Sequence, residues 1–354
     1  MSVTIRDVAR KARVSVATVS RVLNGKGPVL AETRSRIQST IEALGYVPHS
    51  GARSLITRRT NTIGVLLPDI HGEFFSELIR GLDAAVRRAG FHLLVSSSHG
   101  DRGETGAVFR AMRGRVDGMV VLSPDLSVPA LRASIPDTLP VVLLNSPSEA
   151  AGPFDLINID NYNGASTMVR HLHSLGHERI AFVRGPAPNA DAAERLRGYR
   201  DALEALRLRH VEELELPGNF REDGGYRAGQ KIARMANPPT AVFAANDAMA
   251  IGCLAALRDE GRSVPRDFAL AGFDDIPMGI FTAPPLTSVR VSIAELGAAA
   301  ADRVLHGIRD ENAHKRLHLT LPTTLVVRES CGAAPTPRAN RERLNGTNGR
   351  RKDG

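Results

Sequence analysis

The beginning of the chain carries apolar residues at the spacing of short helices. Between residues 5 and 12 they recur every three or four positions, so they share one helix face. Thr4 precedes this segment as a candidate N-cap, and Asp7 follows three positions later, close to the pattern of a capping box. The pattern predicts a first helix that ends near Ala12.

Two further helices are predicted behind the first. Ser15 is an N-cap candidate for a segment from Val16 to Leu23, and Asn24-Gly25 is expected to end it because both residues tolerate a left-handed backbone. A third helix is predicted from about Ala31 to Leu44, with Gly45 as its stop. Two short helices joined by a tight turn and followed by a third make a helix-turn-helix.

Beyond residue 60 the pattern changes to apolar strands that alternate with helices. This alternation predicts doubly wound parallel sheets, and about 270 residues are too many for one such sheet, so we expect two lobes that divide near residue 158. Strands are predicted over 62–68, 91–96, 118–122, 141–145, 180–183, 241–245 and 268–273; helices over 74–90, 104–113, 163–175, 192–206, 247–259 and 292–306; and a strand-rich segment over 317–327.

The charge is unevenly distributed along the chain. Residues 1–60 hold 11 Lys and Arg against 3 Asp and Glu, whereas the whole chain has a net charge of only +8. A basic first segment before a mildly acidic body indicates that the first segment meets a polyanion, although a solvated basic face has the same composition. Residues 332–354 are again basic and rich in Pro, Asn and Gly, which predicts a disordered tail.

Several kinds of chemistry find no support in the sequence. The two cysteines, Cys253 and Cys331, are too few for a zinc site or a disulfide framework. Gly176 is expected to end the helix between His173 and His177, so these histidines need not share a face. No phosphate loop, nucleophile elbow, apolar span or secretory signal is present, so we expect a cytoplasmic protein that is neither an enzyme nor bound to a cofactor, metal or membrane.

The second predicted helix has side chains suited to DNA. In a helix-turn-helix the first residues of this helix lie at the base edges of the major groove. Here they are Val16 and Ala17, which can touch thymine methyl groups, and Arg21 one turn later, which can pair with guanine. An ordinary three-helix bundle remains the alternative on this pattern alone.

Motifs along most of the chain resemble the lactose/galactose repressor family of bacterial regulators. The resemblance covers about residues 3–330 and departs from the family at Arg13, which stands in a turn where a left-handed residue is expected, and at His49. It rests on the runs at residues 4–9, 14–24, 44–48, 52–55, 177–182, 195–199, 245–252, 272–275 and 285–289.

The resemblance implies an all-α helix-turn-helix domain over 1–46 and a hinge over 47–60 that becomes helical on the operator. In the family the hinge pushes a Leu into the minor groove, and Leu55 matches that position; a disordered linker with one exposed Leu is the alternative. The residues expected at DNA are Thr4, Ser15, Val16, Ala17, Thr18, Arg21, Asn24, His49, Ala52 and Leu55.

For residues 61–331 the resemblance implies a periplasmic-binding-protein-like effector-binding and dimerisation domain. One lobe is expected over about 61–158 and 290–315, and the other over about 159–289 and 316–331. Three crossings between the lobes would form a hinge. A ligand would lie beyond the carboxyl ends of the strands.

The family positions that bind the effector carry Arg195, Asn246 and Asp274 here, with Asn145 at a less regular contact position. Phe74, Phe75 and Phe220 resemble an aromatic wall that stacks on a sugar ring or base, although adjacency lets only one of Phe74 and Phe75 face the cleft. Asp191 and Asn189 stand at positions where a purine repressor contacts its ligand. These two residue types do not support a purine as the ligand here. Arginine beside carboxylates suits a polyhydroxy ligand such as a sugar.

These observations predict a homodimeric repressor that binds a near-palindromic operator under the control of a small effector. Two alternatives share parts of the pattern. A periplasmic solute receptor has the same two-lobed body, and an enzyme can carry an accessory DNA-binding module.

Overall fold

The computed structural model describes residues 3–23, 27–46, 59–122, 128–136, 138–146, 152, 154–187, 189–309 and 316–333. The chain divides into two compact units, residues 1–61 and 62–354. Most of the predicted hinge (residues 47–58) and most of the predicted tail (residues 334–354) lie outside the described residues.

The first unit contains three helices, α1 (Ile5–Ala12), α2 (Val16–Leu23) and α3 (Ala31–Leu44). Their apolar faces meet in a small core built from Val8, Ala12, Val19, Ile37 and Tyr46. The predicted helix-turn-helix is confirmed. The three helices have the bounds that the sequence pattern predicts.

Local chemistry sets the ends of these helices. The Thr4 amide and hydroxyl both donate to Asp7 Oδ2, at 3.0 and 2.6 Å, and this bonding lowers the pKa of Asp7. Arg13 closes α1 in the left-handed conformation, with φ of 54°, as expected for this turn position. Gly45 ends α3 in the same conformation. The Arg36 Nε donates to the Ala12 carbonyl at 3.2 Å and thereby ties α3 to the end of α1.

The second unit contains two six-stranded sheets. The first sheet has the order β11-β5-β4-β3-β1-β2, and all its neighbouring strands are parallel. Its strands are β1 (Thr62–Leu67), β2 (His92–Ser97), β3 (Gly118–Leu122), β4 (Val141–Leu144), β5 (Asp155–Ile159) and β11 (His318–Leu321).

The second sheet has the order β12-β10-β9-β8-β6-β7. Its strands are β6 (Ile180–Val183), β7 (Glu215–Leu216), β8 (Ala241–Ala244), β9 (Ala269–Asp274), β10 (Thr287–Arg290) and β12 (Thr324–Val326). The pairs are parallel except β10 with β12, which is antiparallel. The predicted two-lobed α/β architecture is confirmed, with this one antiparallel edge.

Helices cover both sheets. They are α4 (Glu73–Arg88), α5 (Arg102–Met112), α6 (Val128–Ser134), α7 (Asn161–Ser174), α8 (Ala190–Ala205), α9 (Glu222–Ala233), α10 (Asp247–Asp259) and α11 (Ile293–Arg309). The sequence pattern did not predict α6, α9, β5, β7 or β10.

The chain crosses between the lobes three times, after β5, after β10 and after β11. Residues 316–331, expected mostly in the second lobe, divide between the two lobes. Strand β11 pairs in parallel with β5, so residues 318–321 lie in the first sheet and only the following β12 lies in the second. The third crossing therefore falls at residues 322–323.

Candidate DNA-reading surface and effector cavity

Helix α2 presents its first residues outward and its apolar side inward. Val19 is fully buried, whereas Val16, at 41% exposure, and the neighbouring Ala17 and Arg21 are exposed. An exposed patch of small apolar side chains followed by an arginine can meet base edges without any rearrangement of the core.

The cap of α2 uses the hydroxyl of Ser15. Its Oγ accepts the Thr18 amide at 3.1 Å and lies 2.9 Å from the Thr18 hydroxyl. Ser15 is therefore the N-cap, as predicted. Of the residues expected at DNA, Asn24, His49, Ala52 and Leu55 lie outside the described residues.

A cavity of about 720 Å³ opens between the two lobes at the carboxyl ends of the strands. Its size falls within the range of about 300–1,000 Å³ typical of small-molecule sites. The cavity brings together all eight residues that the sequence predicts for the effector: Phe74, Phe75, Asn145, Asp191, Arg195, Phe220, Asn246 and Asp274.

Arg195 is the central polar group of the cavity. Its side chain is buried, and its Nε donates to Asn161 Oδ1 at 2.7 Å while a terminal nitrogen donates to the Ala245 carbonyl at 2.5 Å. The other terminal nitrogen lies 3.1 Å from Asp274 Oδ1. The guanidinium also stacks on the Phe273 ring, with 3.8 Å to the ring centroid. These contacts fix its plane in advance of any ligand, so it does not pair on the surface with Asp191 or Glu194.

Two carboxyl groups face this guanidinium. Burial raises the pKa of Asp274 to about 6, against the opposing pull of Arg195, and burial likewise raises that of Asp191 to about 6. Asn161 Nδ2 donates to Asp191 Oδ1 at 2.8 Å. Among the described residues, the buried Asn145 Oδ1 accepts no hydrogen bond, and Asp274 Oδ1 is engaged by the ion pair with Arg195 alone, so both can accept a hydroxyl of a ligand.

The three aspartates near the end of β9 have different tasks. Asp274 faces Arg195, whereas Asp275 accepts from Arg290 and from Arg328, each at 2.6 Å. Asp247 is fully buried behind them and accepts the Ser288 hydroxyl at 2.6 Å. Asp274 and Asp275 thus diverge, and both have positive φ angles, of 107° and 55°.

Positive φ angles recur at the cavity. Asn145 (50°) and Phe220 (63°) share this conformation with Asp274, although none of the three is glycine. Such backbone costs of order 1–3 kcal/mol per residue, and it concentrates at sites where a side chain must be aimed in one direction.

The expectation that only one of Phe74 and Phe75 faces the cleft was wrong. Both line the cavity, with ring centroids 5.6 Å apart in an edge-to-face arrangement. They stand at the first turn of α4, where no earlier turn covers them, so two successive residues can border the same space. Phe220 lines the cavity from the second lobe.

Asn246 lines the cavity while capping α10. Its Oδ1 accepts the Met249 amide at 3.0 Å, and its Nδ2 donates to the Phe220 carbonyl at 2.9 Å. The N-cap of α10 is therefore Asn246. One amide hydrogen of Asn246 remains for a ligand, since the NH₂ group has two.

Sequence reasoning missed two contacts that join the lobes at the cavity. Arg221 forms an ion pair with Asp69 across 152 residues of sequence. Glu73 Oε2 accepts the Met278 amide at 2.8 Å. Only the topology brings these residues together, so no pattern along the chain could have identified the pairs.

The described residues contain no helix that is long and apolar enough to cross a membrane. Within the same residues, no group of three or more His, Cys, Asp or Glu side chains could hold a metal ion.

A helix-turn-helix unit and a two-lobed α/β unit with a ligand-sized cavity define the class of ligand-controlled DNA-binding regulators. The family described as "Bacterial regulatory proteins, lacI family" matches residues 4–49, and the "Periplasmic binding protein-like domain" matches residues 169–331. The ribose operon repressor of Escherichia coli (strain K12) is 35% identical over 322 residues, which cover 90% of this chain and 97% of that protein.

Solved structures agree with this result. The lac repressor dimer bound to operator and the anti-inducer ONPF has a TM-score of 0.84 at 27% identity, over 94% of this chain and 100% of that chain. The transcriptional regulator CelR in complex with cellobiose has a TM-score of 0.70 at 32% identity, over 93% and 99%. This chain belongs to the LacI family and is a DNA-binding transcription regulator.

Proposed function

We propose that this protein is a homodimeric repressor that binds an operator through α2. Its affinity for the operator decreases or increases when a polyhydroxy effector, a sugar or a close relative, binds between the lobes. The observation that carries the proposal is the cavity, in which a fixed guanidinium, two carboxyl groups and two asparagine amides surround aromatic rings. Sugars present hydroxyl groups to such donors and acceptors and an apolar face to aromatic rings. Relatives include a ribose operon repressor and a cellobiose-bound regulator.

Control follows from the position of the cavity. Asn145 and Phe74 belong to the first lobe, whereas Arg195 and Asp274 belong to the second, so an effector that contacts both groups binds best at one angle between the lobes. An effector changes operator affinity only if it binds two conformations unequally. The three chain crossings between the lobes are where that angle changes.

At the operator, Arg21 is expected to bind guanine, and Val16 and Ala17 are expected to contact thymine methyl groups. Leu55 is expected in the minor groove, and the other predicted residues at the DNA backbone. Ser15 and Thr18 are already bonded to each other, so their expected contact is with the phosphate backbone. The proposal includes no enzymatic reaction, because Asp247 and Asp275 are held in internal hydrogen bonds. A protein that binds chromosomal DNA works in the cytoplasm.

The test begins with selection of a binding sequence from random DNA by the full-length protein. Arg21→Ala should then weaken binding to the selected sequence by about 5- to 150-fold and relax the preference at one base pair, because a lost bidentate contact costs about 1–3 kcal/mol. Arg209→Ala, which removes an exposed arginine of the second unit, is the matched control and should change nothing. Equal binding by wild type and Arg21→Ala would contradict the assignment of α2.

A further inference from the structure

The cavity carries more negative than positive groups. Five of its lining residues are carboxylic acids, namely Asp69, Glu73, Asp191, Glu222 and Asp274. Among the described residues, only two guanidinium groups, those of Arg195 and Arg221, line the same space, together with one imidazole, that of His71. Even with the imidazole protonated, acids outnumber cations among these residues.

Both guanidinium groups are already neutralised. Arg195 lies 3.1 Å from Asp274 Oδ1, and Arg221 is paired with Asp69. An anionic ligand would therefore have to displace a carboxylate of the protein from its cation. The displaced group would remain in or beside a partly desolvated cavity, where an unpaired charge is costly.

Helix N-termini, the other common anion-binding groups, also lie beside acids of the protein. Four helices begin at the cavity: α4, α8, α9 and α10. Each carries an acid of its own in the first turn, namely Glu73, Asp191, Glu222 and Asp247. A carboxyl group in the first turn interacts favourably with the positive end of the helix dipole, so each of these ends offers less attraction to an anionic ligand. In α8 and α10, an asparagine cap takes a further amide, through Asn189 and Asn246.

From this arrangement we infer that the cavity selects effectors without a negative charge: it takes neutral polyhydroxy compounds and amino sugars, and it rejects sugar phosphates and sugar acids. The inference rests on the proposed function, because it concerns the charge of the effector in the same cavity. The accepting atoms Asp274 Oδ1 and Asn145 Oδ1 suit the O–H or N–H donors of such ligands, and neither suits a phosphate oxygen.

The acid–base state of the cavity agrees with this selection. Burial raises the pKa of Asp191 to about 6. The pKa of Asp274 is also about 6, because burial and the charge of Asp191 raise it while Arg195 lowers it. A cavity that already disfavours its own carboxylates would disfavour an additional anion by the same interactions.

Inorganic phosphate tests the inference without knowledge of the effector. At constant ionic strength, the melting temperature of the full-length protein in up to about 10 mM phosphate should equal its melting temperature in chloride. Asp69→Asn frees the guanidinium of Arg221 and should introduce saturable phosphate stabilisation, which a second change, Arg221→Ala, should remove. Saturable stabilisation of the wild-type protein by phosphate that Arg221→Ala or Arg195→Ala abolishes would overturn the inference.

Matched sugars give the second arm. Ribose is compared with ribose 5-phosphate, glucose with glucose 6-phosphate and gluconate, and glucosamine with glucosamine 6-phosphate, by calorimetric titration of the wild-type protein. Any binder among them should be a neutral or amino member, bound at least tenfold more tightly than its anionic counterpart. If an anionic sugar binds more tightly than its neutral or amino counterpart, the charge selection is overturned, but the proposal of a sugar-controlled regulator stands. If the protein shows no sequence-specific DNA binding, the proposed function is overturned, but the charge selection stands.

Discussion

The two units present their candidate binding residues in opposite ways. In the helix-turn-helix, Val16, Ala17 and Arg21 stand exposed on α2, outside the small core. In the cavity, Arg195 is buried and bonded to Asn161, Ala245 and Asp274 before any ligand arrives. On the proposed function, DNA would contact exposed side chains, and the effector would contact a preassembled network.

This difference separates the energetic roles of the residues. An exposed arginine contributes to binding and little to folding, because water solvates it in the free protein. A buried arginine paired with a carboxylate contributes to both, since its removal leaves the partner desolvated and unpaired. Function and stability should therefore be separable in the first unit and coupled in the second.

The largest effect is expected from Arg195→Ala. Removal of the guanidinium leaves Asp274, Asn161 and the Ala245 carbonyl without their donor, and loss of one partner from a buried pair costs about 3–5 kcal/mol. Urea unfolding of the full-length protein should show a destabilised second unit that no longer binds effector. Because the network is ready-made, a stable variant would show that the cavity does not depend on Arg195.

Arg197→Ala is the matched control on the same helix. Arg197 pairs with Glu194 at 2.6 Å and stacks on Tyr162, with its side chain 55% exposed. Its removal should cost less than about 1 kcal/mol. Equal losses for the two arginines would mean that the comparison between buried and exposed groups is wrong.

A smaller, pH-dependent effect is expected from Asp191→Asn. The pKa of Asp191 is raised to about 6, so the native protein holds a proton that the unfolded chain releases from about pH 4 upward. Its ionisation therefore destabilises the fold as pH rises from 4 to 6, and the full penalty persists above that range. The asparagine keeps an oxygen for Asn161 and has no charge. It should stabilise the protein at pH 8 by on the order of 1–2 kcal/mol, and the gain should vanish at pH 4.

Urea midpoints of wild type and variant across pH 4–8 measure this difference. Glu204→Gln, at an exposed position of the same helix, should show no such trend. A gain that is constant with pH would indicate a packing effect rather than relief of a buried charge.

The sequence predicts some elements of the fold well because their signals are local. Strand β3 and helix α10 have the predicted bounds, since a continuous apolar run marks the former and an asparagine cap the latter. The eight residues predicted for the effector meet in one cavity because each lies near the end of a strand or the beginning of a helix at the same edge.

The elements that were missed depend on tertiary packing. Helix α9 contains Gly225 and Gly229, which lower helix propensity. The structure needs them small: a Cβ on Gly225 would lie 2.0 Å from the Met249 carbonyl oxygen of α10. Strand β7 has only two residues, too short for any periodicity. The contacts of Asp69 with Arg221 and of Glu73 with Met278 likewise require the folded topology.

The smallest effect is expected from Ser15→Ala in the first unit. The Ser15 hydroxyl caps α2 through the Thr18 amide, and loss of such a cap costs about 0.5–2 kcal/mol. Hydrogen exchange of the α2 amides in the full-length protein should be faster by the corresponding factor. Arg21→Ala, on the exposed face of the same helix, should leave that exchange unchanged while weakening DNA binding. If Arg21→Ala also accelerated exchange, its side chain would support the fold, and the helix-turn-helix would resemble the cavity in coupling function to stability.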